Sequence, residues 1–178
     1  MAEESAPTAS PILSRATLQS IRRARQKYPW ARSAVLPALW AVQEQLGYLP
    51  PAALGEVAQE LGVVPSEVEA VATFYSMYFQ HPPGRHLIQV CLNVSCGLRG
   101  ADQLLQHLEG SLGVEDGGTT EDREFTLQGT VECLGACGGA PMMQVDRYSY
   151  EDLDPEAADR VLAQVRSRPG AGGRREHA

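Results

Sequence analysis

The chain has 178 residues, of which 43% are hydrophobic, and a formal net charge of −7. This length accommodates one domain or two small ones with packed cores, and the longest uncharged stretch of helical character, residues 33–43, is far shorter than the roughly 20 apolar residues of a membrane span. Residues 87–178 carry fifteen acidic against eight basic side chains, which argues against nucleic-acid binding by this half.

The first half of the sequence predicts a bundle of helices. Apolar residues recur there at the three- and four-residue spacing of helices, and prolines and glycines mark where helices begin and end. The predicted helices cover residues 13–28, 33–46, 51–61 and 65–75. We therefore expect an all-helical domain over residues 14–83, preceded by a disordered lead at residues 1–13.

Two features of this half could indicate a binding surface. The segment from residue 57 to residue 71 resembles a helix-turn-helix, but its second helix carries Glu67 and Glu69 and no cation, which opposes contact with phosphates. The basic residues between Arg22 and Arg32 are interpreted as a solvated face that could equally dock an acidic partner.

The second half predicts an α/β domain that begins after the His-Pro-Pro-Gly turn at residues 81–84. Helices are expected at residues 101–112 and from residue 155 onward, within a domain that covers residues 84–168. The predicted strands cover residues 86–91, 124–127, 130–132 and 141–145. We expect a mixed sheet of about four strands covered by two helices, with a disordered tail at residues 169–178.

The four cysteines of the chain fall in two pairs, each in a glycine-containing loop after a predicted strand. Cys91 and Cys96 have four residues between them, and Cys133 and Cys137 have three. Soft thiolates select zinc or iron-sulfur clusters, and these spacings are wider than the C-x2-C pair common in structural zinc sites. They favour a 2Fe-2S cluster, with zinc, disulfides and inert buried thiols left as alternatives. The N-terminus lacks the pattern of a signal peptide, so disulfide formation in an oxidising compartment is not expected.

Three runs of residues carry a resemblance to a known family. They are EVEAVATFY at 67–75, CLNVSCGLRGA at 91–101 and ECLGACGGAP at 132–141. These runs resemble the E-type subunit of NADH-quinone oxidoreductase, which is the thioredoxin-like 2Fe-2S subunit of respiratory complex I. The similarity covers roughly residues 14–168 and includes both cysteine spacings.

This resemblance implies an α+β protein, in which an N-terminal helical bundle is followed by a thioredoxin-like α/β ferredoxin domain. It also implies that four thiolates bind one 2Fe-2S cluster, namely those of Cys91, Cys96, Cys133 and Cys137. The cluster would exchange single electrons with the FMN of a partner flavoprotein subunit. That partner would bind FMN and NADH, since this chain has no G-x-G-x-x-G or P-loop motif.

The resemblance further implies other peripheral-arm subunits as partners, and a cytoplasmic location that is peripheral to the inner membrane through the complex. No direct membrane insertion and no nucleic acid are expected. The equivalent diaphorase subunit of an NAD-linked hydrogenase or formate dehydrogenase remains an alternative. An iron-sulfur DNA-binding regulator and a zinc-stabilised adaptor are two further alternatives, from other classes of protein.

Overall fold

The computed structural model describes residues 11–167, and the chain separates into two units between Pro82 and Pro83. We call the first the helical unit and the second the sheet unit. The predicted tail at residues 169–178 lies outside the described residues, as do residues 1–10 of the predicted lead. No helix in the described part of the chain is long and apolar enough to cross a membrane.

The helical unit contains four α-helices within residues 11–82. They are α1 (Arg15–Lys27), α2 (Val35–Leu46), α3 (Pro51–Leu61) and α4 (Pro65–Phe74). Their apolar faces share one core that includes Ile21, Leu39 and Val57, each fully buried. The prediction of an all-helical first half is therefore confirmed for these residues.

Two local details of the helical unit differ from the expected limits. Leu13, expected in the disordered lead, is 3% exposed and packs in the core, because the Glu56 carboxylate accepts hydrogen bonds from the backbone N–H groups of Ile12 and Leu13 at 2.6 and 3.0 Å. The second helix, expected to begin near Ser33, begins later. The Ser33 N–H bonds to the Trp30 carbonyl at 3.1 Å, which closes a 3-10 turn over Ala31–Ala34 and delays α2 until Val35.

The sheet unit has four strands in the order β2-β1-β3-β4. They are β1 (His86–Cys91), β2 (Phe125–Thr130), β3 (Met143–Val145) and β4 (Tyr148–Tyr150). β1 pairs in parallel with β2 and antiparallel with β3, and β3 pairs antiparallel with β4. Its helices within the described residues are α5 (Val94–Leu98), α6 (Ala101–Leu112) and α7 (Pro155–Arg166).

The strands differ from the prediction in three places, and one is that the strand expected at residues 141–145 begins only at Met143. The expected strands at residues 124–127 and 130–132 are one strand, β2, which stays in register with β1 from Phe125 to Thr130. The second of these predictions is wrong, because residues after Thr130 leave the sheet. The three-residue strand β4 was not predicted.

Parallel pairing of β1 with β2 decides where the cysteines lie. Cys91, the last residue of β1, stands beside Thr130, the last residue of β2. Carboxyl ends of parallel strands meet at one edge of a sheet, so the loop that carries Cys96 and the loop that carries Cys133 start from the same edge. The expectation that both cysteine loops lie at the same end is confirmed.

Candidate metal centre

The first cysteine pair is built into the sheet and a short helix. Cys91 and Cys96 are each 2% exposed. The backbone N–H of Cys91 donates to the Met142 carbonyl at 3.2 Å, and Cys96 lies in α5, whose first N–H, that of Val94, is capped by the Asn93 side-chain oxygen at 2.9 Å. Packing and backbone hydrogen bonds therefore fix both sulfurs of this pair.

The second pair lies in a loop at the surface. Cys133 and Cys137 are exposed, and their Sγ atoms are 3.3 Å apart. Cys137 opens a 3-10 turn over Cys137–Gly139, which the Asp152 N–H holds by donating to the Gly139 carbonyl at 2.7 Å. The turn leads into a cis Ala140–Pro141 peptide bond and then β3. The second pair is thus held by loop contacts rather than by a strand.

Hydrogen bonds join the two cysteine loops. Asn93 Nδ2 donates to the Val131 carbonyl at 2.6 Å, and the Leu92 N–H donates to the Thr130 carbonyl at 2.8 Å. Asn93 therefore contacts both loops, since its amide oxygen caps α5 and its amide nitrogen holds the chain two residues before Cys133. No sequence motif singled out Asn93, although asparagine before a short helix is typical of an N-cap.

The four predicted ligand residues come together at this edge of the sheet. The Cys91 thiol lies close enough to the thiols of Cys96, Cys133 and Cys137 to shift their pKa values, and the Sγ atoms of Cys133 and Cys137 are 3.3 Å apart. Within residues 11–167, no three His, Cys, Asp or Glu side chains surround one ion position. Four thiolates are the ligand number of a 2Fe-2S cluster and also of a structural zinc site.

Local interactions shift the pKa values of three of the thiols in different directions. Burial raises the pKa of Cys96, and the hydrogen bond shared with Cys133 raises the pKa of Cys137. The backbone N–H of Gly135 lowers the pKa of Cys133, because it stabilises the thiolate. As smaller effects, the Met142 backbone lowers the pKa of Cys96 and the Ser95 side chain lowers the pKa of Cys137, which favours their thiolate forms.

Three exposed apolar side chains lie on the two segments that carry the cysteines. Val94 and Leu98 on α5 are 73% and 84% exposed, and Val131, two residues before Cys133, is 74% exposed. Large apolar side chains at this exposure next to a functional site are typical of a docking surface. We use the term apolar rim for these three residues.

Comparisons with known proteins agree with this geometry. The family described as Thioredoxin-like [2Fe-2S] ferredoxin matches residues 21–166. An E-type subunit of NADH-quinone oxidoreductase from Rhizobium meliloti is 47% identical over 149 residues, which are 84% of this chain and 88% of that protein. Its Salmonella typhimurium counterpart is 40% identical over 150 residues, which are 84% and 90% of the two chains. The Mycobacterium tuberculosis counterpart is 41% identical over 141 residues, 79% of this chain and 56% of that protein.

The fold also matches a solved structure. The crystal structure of NAD+-reducing [NiFe]-hydrogenase in the air-oxidized state has a TM-score of 0.62 and 26% sequence identity, and the match covers 80% of this chain and 24% of that chain. The predicted fold class, a helical bundle followed by a thioredoxin-like α/β domain, is confirmed, and so is the resemblance. The chain belongs to the thioredoxin-like [2Fe-2S] ferredoxin family, and the relatives it matches over most of its length are E-type subunits of NADH-quinone oxidoreductase.

Proposed function

We propose that this chain is the 2Fe-2S electron-transfer subunit of an NADH-quinone oxidoreductase, respiratory complex I. Four thiolates would hold one cluster, those of Cys91, Cys96, Cys133 and Cys137. When bound, such a cluster takes up and releases one electron at a time. The observation that carries the proposal is the convergence of two cysteine pairs, from distant parts of the sequence, at the shared end of two parallel strands.

The partner in this proposal is a flavoprotein subunit that binds FMN and NADH. The asymmetry of the site supports docking at one side, because Cys91 and Cys96 are buried whereas Cys133 and Cys137 reach the surface. The apolar rim would exclude water from the contact. Electrons would therefore enter and leave on the side of Cys133 and Cys137.

NADH oxidation would take place on the partner. The sheet unit has a surface cavity lined by Glu109, Gly113, Val114, Glu115 and Asp116, and three carboxylates there repel the phosphates of a dinucleotide. Together with other peripheral-arm subunits, the partner would place this chain on the cytoplasmic side, peripheral to the inner membrane.

One alternative is supported by a specific observation. The likeness to NAD+-reducing [NiFe]-hydrogenase fits the diaphorase subunit of an NAD-linked hydrogenase or formate dehydrogenase. The chain spans 24% of that hydrogenase chain but 88% and 90% of two NADH-quinone oxidoreductase relatives, which favours complex I. The DNA-binding alternative is disfavoured because α4 carries Glu67 and Glu69 and has no Arg or Lys to contact phosphates.

The test is the visible absorption and metal content of the full-length protein purified without oxygen. We expect the colour and the iron and sulfide content of one 2Fe-2S cluster, and loss of both in Cys91→Ser and Cys133→Ser. A colourless protein that contains zinc would refute the proposal. Retention of the wild-type spectrum by both cysteine variants would refute the ligand assignment.

Two control variants separate loss of ligands from loss of fold. Glu67→Ala, in the helical unit, should leave the absorption intact. Leu162→Ala removes a core side chain that is 6% exposed and should destabilise the sheet unit by about 2–5 kcal/mol while keeping all four thiols. If Leu162→Ala loses its colour as completely as Cys133→Ser under native conditions, bleaching reports unfolding and not ligation.

A further inference from the structure

The outward face of α1 has an unusual charge pattern. Residues 15–32 contain six basic side chains and no acidic one, in a chain whose net charge is −7. Thr17 and Ile21 face the core, and the exposed side chains of Arg15, Arg23 and Lys27 lie on the other side of the helix. One face of the helical unit is therefore strongly positive.

Most of this positive charge is not neutralised within the described residues. Arg22 forms two hydrogen bonds with Glu60, at 2.6 and 3.1 Å, and Arg32 pairs with Glu67. Arg15, Arg23 and Lys27 form no ion pair with any carboxylate in residues 11–167. Arg23 bonds instead to the neutral Ser20 hydroxyl at 3.2 Å.

Helix stability alone does not account for this pattern. Lys27 is in the last turn of α1, where a cation favours the helix dipole. Arg23 and Lys27, however, are four residues apart, and like charges at this spacing destabilise a helix by a few tenths of a kcal/mol. A helix that only faced solvent would gain from glutamate at one of these positions, so the uniform charge indicates a role outside the helix.

Two aromatic side chains follow the cations directly. Trp30 is 74% exposed and Tyr28 is 39% exposed. Tryptophan, tyrosine and arginine are the residues most enriched at the energetic centres of protein interfaces. We call the set Arg15, Arg23, Lys27, Tyr28 and Trp30 the basic-aromatic face.

We propose that the basic-aromatic face docks an acidic protein surface on a neighbouring subunit of the complex. This inference rests on the proposed function, which supplies the complex. Trp30 would be the desolvated anchor, and the three cations would surround it and pair with carboxylates of the neighbour.

A protein surface fits this face better than a polyanion or a lipid membrane. An amphipathic helix enters a membrane through its apolar face, but that face of α1 is already buried, with Ile21 fully inaccessible. Nucleic acid would also meet Glu67 and Glu69 on the same unit. Residues 1–82 carry six basic and seven acidic side chains, which gives them a formal charge of −1.

The test is the affinity of the full-length, cluster-loaded chain for the FMN subunit assembled with the other peripheral-arm subunits, over a series of salt concentrations. We expect Arg23→Glu/Lys27→Glu to weaken binding at least about tenfold at low salt, with a smaller effect at high salt because of screening. Trp30→Ala should weaken binding about tenfold at every salt concentration. The control, Arg147→Glu/Arg160→Glu, makes the same change in net charge at exposed positions of the sheet unit and should bind as the wild type does.

Two results would overturn the inference. The first is wild-type affinity of Arg23→Glu/Lys27→Glu and Trp30→Ala at every salt concentration. The second is loss, in these variants, of binding to duplex DNA or to vesicles of phosphatidylethanolamine and phosphatidylglycerol, with binding to the subunits unchanged. Visible absorption of the same samples keeps the two proposals separate. A colourless wild type refutes the proposed function, whereas a coloured wild type with unaffected variants refutes only the role of this face.

Discussion

Removal of the Asn93 side chain should loosen the contact between the two cysteine loops. Asn93→Ala deletes the α5 cap, a hydrogen bond of 2.9 Å from the Val94 N–H, and the hydrogen bond of 2.6 Å to the Val131 carbonyl. Loss of an N-cap destabilises a protein by about 0.5–2 kcal/mol, and loss of a neutral hydrogen bond by about 0.5–1.5 kcal/mol. Both bonds lie at the surface, where water replaces part of what is lost. We therefore expect a decrease of about 1–2 kcal/mol in the free energy of unfolding.

Loss of the hydrogen bond between Asn93 and the Val131 carbonyl should also shorten the lifetime of the bound cluster. If that bond contributes about 1 kcal/mol to keeping the loops together, its loss favours the open form about fivefold. Loss of visible absorption to an iron chelator should then be about fivefold faster in Asn93→Ala. Asn93→Ser keeps an oxygen that can cap α5 but cannot reach Val131, so the cluster should leave nearly as fast while the unfolding free energy is partly restored.

The N-cap of α7 provides a control cap. Asp154 accepts from the Ala157 N–H at 2.6 Å, and its side chain forms no hydrogen bond with either cysteine loop in the described residues. Asp154→Ala should lower the unfolding free energy by about 0.5–2 kcal/mol without faster release of the cluster. Equal release rates in Asn93→Ala and Asp154→Ala would refute the proposed role of Asn93.

Two more predictions concern stability. In Gly139→Ala, the new Cβ would clash with Glu151 Oε2 and lie 2.6 Å from the Glu151 Cβ, so we expect the free energy of unfolding in urea to fall by about 1–3 kcal/mol. Gly138→Ala, with no atom within 4 Å of the new Cβ, should have little effect, and equal losses in the two variants would contradict this. Burial, and then the charge of Tyr75, raises the pKa of Tyr78 to about 12. The pKa of tyrosine in the unfolded chain is about 10, so the unfolded state loses this proton first as the pH rises. The free energy of unfolding should therefore fall by about 2 kcal/mol between pH 10 and pH 12. A Tyr78→Phe variant that loses as much stability over this range would contradict the prediction.

The helices could be predicted from the sequence because their signals are local. α3 and α4 begin at Pro51 and Pro65 as expected, and α2 and α3 end before Gly47 and Gly62, which have the left-handed φ angles of 80° and 69°. Strand limits were harder to predict, because they depend on a partner strand. Gln128 and Gly129 interrupt the apolar pattern, yet pairing with β1 carries β2 through them.

The same distinction holds for the candidate site. The cysteine spacings and their place after strands are visible in the sequence, and the structure brings those four residues together. The contact of Asn93 with Val131 spans 38 positions and arises only when β1 and β2 pair. The strand β4 was missed because Tyr148 and Ser149 are exposed and give no alternation of buried and exposed residues.

The order of the strands in the sheet bears on when the metal site can form during biosynthesis. β1 is an inner strand, and both of its neighbours, β2 and β3, come later in the chain. A nascent polypeptide that has reached Leu112 contains Cys91 and Cys96, but neither adjacent strand nor the other two thiols. All four thiols are present only once translation has passed Cys137, so a cluster held by all four could form only after that point.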